Sequence, residues 1–183
     1  MFTFLHKRLL AKVESYGITG DLQKWVASFL VGRTQRVVVD GVSSDPTPVK
    51  SGVPQGSVLG PFLFLIFIND LAEETSSTIR PFADDCVMYK PVRDLADCRV
   101  LQKDLDQLHN WEERWQLKFN TKKCNIMRAT HARQNKIEFE YTLNGEPLIV
   151  TSSTTYLGVE LSSDMKWKWN RTLCKNLINC LVS

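Results

Sequence analysis

Two hydrophobic periods alternate along the chain. Leu5, Leu9, Leu10, Val13 and Tyr16 recur at helical spacing up to a Tyr16-Gly17 stop. Leu22, Trp25, Val26, Phe29 and Leu30 repeat the pattern between Gly20-Asp21 and Gly32, which predicts a second helix directly after the first. The period then shortens. A β-branched run before Asp40-Gly41 predicts a strand over 36–39 turning back in a hairpin, and Pro46 and Pro48 interrupt the pattern beyond it. A loop of small residues, "SGVPQGS", feeds a segment over 58–71 that is apolar on every side and is expected to be a central buried helix. Leu95, Cys98, Leu101, Leu105, Leu108, Trp111 and Trp115 then mark a long amphipathic helix with Asp94 as its cap. Beyond it the period is again two. A strand is expected around 125–127. Ile137, Phe139, Tyr141 and Leu143 alternate up to Asn144-Gly145, with 148–150 pairing back, and "TTYLGVEL" makes a further strand. The stretch 167–182 reads as the beginning of a helix. Helices, hairpins and strands in this order predict an α+β fold, an antiparallel sheet backed by helices.

One stretch resists this reading. In "TIRPFADDCVMYK" (78–90) two adjacent carboxylates, Asp84 and Asp85, interrupt what is otherwise a buried strand. Neighbouring residues in a strand point to opposite faces, so a pair of acids there would waste a core position. A bend removes the conflict: Ile79, Phe82 and Ala83 end one strand, Asp84 and Asp85 occupy the turn, and Val87, Met88 and Tyr89 return. Asp is a common turn former, and clustered carboxylate oxygens also suit hard divalent cations. Both readings stand at this point.

Composition narrows the field a little. The 183 residues, 43% of them apolar, are enough for one sizeable core. A net charge of +3 is too mild to announce a polyanionic partner, so local placement of charge must decide. Five cysteines at 86, 98, 124, 174 and 180 form no C-x-x-C pair, which points to reduced thiols rather than a disulfide framework or zinc site. The longest apolar run, residues 62–68, is too short to cross a bilayer, and His6, Lys7 and Arg8 interrupt the place of a signal-peptide core. An intracellular chain of cytoplasm or nucleus, without membrane attachment, is the expectation, and the sequon at Asn170 then carries no weight.

The order of five blocks settles the open alternative. "HKRLLAKVESYGI", "RTQRVVVDG", "SGVPQGSVLGPFLF" with "FADD", "LKFNTKKC" and "TTYLGV" together resemble the palm of reverse transcriptases, in the non-LTR retrotransposon form of the jockey and LINE type. A group II intron maturase or telomerase palm shares the acidic hairpin but fits the "SGVPQGSVLGPFLF" block less well. The resemblance implies an RNA-directed DNA polymerase palm over 1–161, with 162–183 beginning a thumb or connection. It implies that Asp84 and Asp85 are catalytic metal ligands for Mg²⁺, two ions in the complete family site, and that Lys123, with Lys122 as its rival, lies near the triphosphate. It puts Ser51, Gly52, Gln55 and Gly56 beside the templating base and incoming deoxynucleoside triphosphate, and Arg33 and Arg36 against template phosphates. Tyr156, Leu157 and Gly158 resemble the primer grip, and the implied partners are an RNA template and a DNA primer.

One family element has no counterpart. The family's first acidic motif should precede "HKRLL", yet the first acidic residue is Glu14 and "MFTFLH" offers none. Its metal-binding Asp would fall ahead of residue 1. The expectation is therefore a reverse transcriptase segment that is inactive as an isolated chain, against the alternative of a non-catalytic remnant that binds nucleic acid or protein.

Overall fold

The computed structural model describes residues 5–129, 137–164 and 175–181. The chain divides into two compact units, residues 1–69 with 115–117 and residues 70–114 with 118–183.

The first unit begins with the two expected helices, α1 (His6–Ser15) and α2 (Gly20–Leu30). Leu9, Val13, Val26 and Leu30 supply their buried positions, while Leu22 and Trp25 are more than half exposed. Lys12 is also buried. Its ammonium donates to the carbonyl of Phe67 and stands 3.9 Å from the Trp115 ring centroid, so aromatic faces replace part of its lost hydration. The strand expected over 36–39 is shorter and interrupted. Two small ladders form, β1 (Thr34–Gln35) with β4 (Thr47–Pro48) and β2 (Val38–Val39) with β3 (Val42–Ser43). The second closes on Asp40-Gly41 with φ of 50° and 80°, the two left-handed values of a type I′ turn. Helix α3 (Leu59–Ile68) follows the small-residue loop and passes into a 3₁₀ turn, Asn69–Ala72. Its burial is one-sided, which corrects the expectation of a helix buried all round. Leu63, Phe64, Phe67 and Ile68 are buried, whereas Phe62 and Leu65 are 53% and 52% exposed.

The second unit is built on a five-stranded sheet. Strands β5 (Thr78–Phe82) and β6 (Asp85–Pro91) form a hairpin, and α4 (Leu95–Trp115) leads to β7 (Asn125–Ala129). The long helix has the expected bounds and cap: Asp94 accepts from the Asp97 N–H at 2.9 Å, while Asp97 accepts from the N–H of Arg93, one residue ahead of the cap. Strands β8 (Thr142–Leu143) and β9 (Glu146–Pro147) close on Asn144-Gly145, and β10 (Ile149–Thr151) comes next. Pairing of 148–150 back onto that hairpin holds only at Leu148, whose N–H donates to Tyr141 at 2.8 Å. β10 instead runs parallel to β7, an exception in an otherwise antiparallel sheet. "TTYLGVEL" is a hairpin rather than one strand, β11 (Ser153–Tyr156) and β12 (Val159–Ser162). The helix expected over 167–182 is contradicted where described: residues 175–181 form strand β13 (Lys175–Leu181), and 167–174 lie outside the described residues. The sheet order is β10-β7-β13-β6-β5. Ile79, Met88, Ile126 and Ile178 are among its buried members, and Leu101, Leu105, Leu108 and Trp111 form the buried stripe of α4. The α+β class is thus the one expected. Among the described residues no helix is long and apolar enough to cross a membrane.

Candidate active site at an acidic hairpin

The bend between β5 and β6 lies one residue earlier than expected. Phe82 pairs with Asp85, so the two turn residues are Ala83 and Asp84, and Asp85 opens the returning strand. The hairpins at 40–41 and 144–145 use a glycine at their second left-handed position. Here the left-handed residue is Ala83 at φ 50°, which a β-carbon tolerates poorly. The strain is local and the consequence is geometric: Asp84 projects from an exposed turn while Asp85 is half-buried on the sheet. Alternation puts Asp85 on the face that carries Val87 and Tyr89. Met127 and Ala129 share that apolar cluster, and Tyr156 and Leu161 of the β11–β12 hairpin pack against it.

Tyr156 therefore stands on the sheet face that bears Asp85. Its hydroxyl donates to the Arg80 carbonyl of β5 at 3.1 Å. Burial, followed by the nearby Cys86 and Asp85, raises its pKa, with Arg80 acting in the opposite direction. The adjoining turn, Leu157 and Gly158 at φ 51° and 76°, is left-handed at both positions, so the Y-L-G order sets a ring beside the sheet and a tight turn beyond it. Behind the acids, burial pushes the Cys86 thiol up to about 12, aided by Cys124, which leaves it an inert apolar filler.

A scan of family models matches residues 2–161 to the reverse transcriptase (RNA-dependent DNA polymerase) family. The chain belongs to this family. Among curated relatives it is 37% identical over 155 residues to the RNA-directed DNA polymerase from mobile element jockey of Drosophila melanogaster, covering 80% of this chain and 16% of that one. The jockey polymerase of Drosophila funebris is 33% identical over 172 residues, with 89% and 18% covered. The probable RNA-directed DNA polymerase from transposon BS of Drosophila melanogaster is 31% identical over 175 residues, with 85% and 18% covered. These relatives place the chain in the non-LTR retrotransposon branch, and it spans less than a fifth of their length.

In this reverse transcriptase segment the remaining sequence-predicted positions fall in two groups. Ser51, Gly52, Gln55, Gly56, Arg33 and Arg36 all belong to the first unit. Gly52 and Gly56 take φ of 73° and 77°, values that favour glycine and let the loop double back ahead of α3. Arg33 holds that loop: its guanidinium donates to the carbonyls of Leu30 and Gly52 at 3.1 and 3.2 Å, whereas Arg36 is exposed. Lys122 and Lys123 are exposed on a 3₁₀ turn of the second unit, Thr121–Lys123, just before β7.

Sequence reasoning missed the residues that brace the loop. His6 donates from Nε2 to the Gly52 carbonyl at 2.9 Å, and Ser57 Oγ accepts the Gly60 N–H at 3.0 Å while donating to Pro54 O at 2.7 Å. Ser57 three residues before Gly60 is a legible cap signal. His6 gave none. The need for glycine at 60 is steric, since a β-carbon there would stand 2.8 Å from the Pro54 carbonyl oxygen.

The donor set fits a metal in part. Asp84 and Asp85 are adjacent carboxylates on one hairpin, enough for a Mg²⁺ ion that keeps most of its waters. Among the described residues, no three His, Cys, Asp or Glu side chains converge as a metal-binding group.

Proposed function

We propose that the chain is the palm segment of an RNA-directed DNA polymerase, and that Asp84 and Asp85 are its metal-holding carboxylates. The carrying observation is the placement of Asp85 on the sheet face against which Tyr156 packs. A bound divalent ion would lower the pKa of a primer 3′-hydroxyl and neutralise charge on the triphosphate. The chain's own residues would position these groups. Tyr156, Leu157 and Gly158 would support the primer end next to the acids; Lys123, or its neighbour Lys122, would offer an ammonium to the triphosphate. Gly52 and Gly56, with Ser51 and Gln55, would present loop backbone and an amide to the template base and incoming deoxynucleotide. Arg36, exposed, is the better of the two arginines for a template phosphate, because Arg33 is engaged with the loop carbonyls.

Residues 1–161 would form the palm and 162–183 the start of a thumb or connection. Two carboxylates from one hairpin do not fix two ions a few Å apart, so the 183 residues by themselves would not extend a primer. A purely binding role is the second reading, favoured by the exposed Val37, Val38, Val39 and Val42, each over 60% accessible. Mn²⁺ titration followed by NMR tests the first reading. Signals of residues 82–86 should broaden before all others, and Asp84→Ala with Asp85→Ala should abolish the effect. Uniform broadening, or none, would remove the metal site.

A further inference from the structure

A polar pocket of about 210 Å³ lies at the end of the β5–β6 hairpin away from the acids, between the start of β5, the end of β6 and the first turn of α4. The length of β6, Asp85 to Pro91, sets it about 20 Å from the acidic pair at the rise of an extended strand. Its lining mixes opposite charges. Lys90 is half-buried and held in place: its ammonium donates to Ser76 Oγ at 2.7 Å and stands 3.8 Å from Asp104, which leaves donor capacity on a fixed nitrogen. Arg93 is exposed, and among the described residues its guanidinium has no partner; the hydroxyl of Thr78 has none either. Tyr89 faces Thr78 across the hairpin, its ring packed against the Val87, Met127 and Ala129 cluster. Asp97 is the exception in sign. One of its carboxylate oxygens accepts the Arg93 N–H at 2.8 Å, and the other is unengaged among the described residues. The Asp97 N–H is itself taken by the Asp94 carboxylate, so the donors offered here are side chains rather than the helix terminus.

We infer that this pocket takes a ribose-phosphate unit of an RNA strand, bound apart from the acidic hairpin. Arginine, lysine, threonine and tyrosine side chains are the usual set that holds a nucleic-acid phosphate. Phosphate alone leaves Asp97 without a purpose, because its charge would repel the ligand. A ligand that carries a hydroxyl close to its phosphate gives the free carboxylate oxygen a bond to accept. The ribose 2′-hydroxyl meets that requirement, and deoxyribose does not. Size narrows the ligand further: 210 Å³ falls below the roughly 300–1,000 Å³ of pockets that enclose whole small molecules, so the space suits one sugar-phosphate of a longer chain rather than a free nucleotide. The choice of RNA over another phosphate-bearing polymer rests on membership of the reverse transcriptase family, whereas the pairing of an anion with a hydroxyl donor rests on the pocket alone. No metal at Asp84 and Asp85 is required.

Binding is measured on the intact chain without divalent metal, so failure here is distinct from failure of the metal site. Fluorescence anisotropy compares labelled oligouridine with oligodeoxyuridine of the same length over a salt series, and NMR locates the contact. RNA should bind about three- to tenfold more tightly than DNA, the contribution of one hydrogen bond, and should shift signals of residues 76–78, 89–93 and 97 ahead of those of 82–86. Arg93→Ala should weaken RNA binding about three- to tenfold and lower the slope of log affinity against log salt by about 0.7, while Arg93→Lys retains the slope. Asp97→Asn, which keeps an acceptor for the Arg93 N–H, should bring the RNA and DNA affinities together. Equal affinity for RNA and DNA in the parent, an unchanged ratio in Asp97→Asn, or RNA shifts that spare the pocket would each overturn the proposal. Inorganic phosphate and a phosphoserine peptide are titrated as rival sources of the anion. Saturation of the pocket signals by either, at concentrations where RNA leaves them unmoved, would overturn it too.

Discussion

Asp104 is the residue whose loss should reach the acidic hairpin most directly from a distance. It is 2% exposed on α4 and accepts the Ser76 N–H at 3.0 Å, the Ser76 hydroxyl at 2.9 Å and the Ser77 hydroxyl, with the Lys90 ammonium 3.8 Å away. These serines immediately precede β5, so the carboxylate fixes where the hairpin begins. Hydrogen bonds to a charged group contribute about 1.5–3 kcal/mol each, and burying the carboxylate offsets several kcal/mol of that total. Asp104→Ala leaves the Ser76 N–H and both hydroxyls without their acceptor and Lys90, with 17% of its side chain exposed, without its anion. The net loss should be about 3–5 kcal/mol, the usual cost of breaking a buried charged network. For a chain of this size that lowers Tm by roughly 6–20 °C. Urea unfolding followed by circular dichroism measures it, and Asp104→Asn, which keeps an acceptor oxygen, should fall between parent and alanine. A loss below about 1 kcal/mol would refute the argument, because a surface-like ion pair has that value.

Particular contacts carry three more expectations. Gly60→Ala forces a β-carbon to 2.8 Å from Pro54 O and 3.1 Å from Ser57 Oγ, so it should cost about 1–3 kcal/mol in urea unfolding and shift NMR signals across residues 51–57; an unchanged midpoint would show that the loop yields freely. Burial lifts the pKa of Glu112 above the ordinary 4.5, against opposing hydrogen bonds from Asn144 and the Phe119 N–H and the charges of His109 and Lys118. A raised carboxylate pKa means ionisation costs more in the folded chain, so this group's contribution improves as pH falls through the folded value toward 4.5. The stability difference between parent and Glu112→Gln should therefore move in the parent's favour as pH falls over that window, and a flat or opposite trend would contradict it. Tyr156→Phe removes only the bond to Arg80 O, which should cost about 0.5–1.5 kcal/mol and loosen the β11–β12 hairpin in hydrogen exchange; unchanged exchange would show that ring packing alone holds it.

Most of the elements were legible because they rest on local signals. The Asp94 cap and the apolar stripe of 98–111 define α4, and Asp40-Gly41 and Asn144-Gly145 declare their hairpins in two residues. The failures share a cause: tertiary pairing. Nothing local tells β10 to leave Asn144-Gly145 for a parallel partner, and the pattern of 167–182 does not disclose that its last seven described residues enter a sheet between strands nearly fifty positions and more upstream. The apolar run at 62–68 overstated burial, since one side of α3 remains open. At the site, the acids were visible as a conflict with strand alternation, but the bend fell on Ala83 and Asp84 because register with Phe82 claimed Asp85 for the strand. Arg33 looked like a phosphate ligand from its charge alone; its bonds to Leu30 and Gly52 depend on a loop that charge does not reveal.

Primer extension tests the central claim most directly. The segment of the Drosophila melanogaster jockey polymerase that matches this chain over 155 residues is replaced by this sequence, and the chimera is assayed with an RNA template, a DNA primer and Mg²⁺, with and without Asp84→Ala. Extension by the chimera, lost in Asp84→Ala, with none by the 183-residue chain alone, is the predicted result. A folded chimera that extends equally well with Asp84→Ala would contradict the assignment of the acidic hairpin as the metal site.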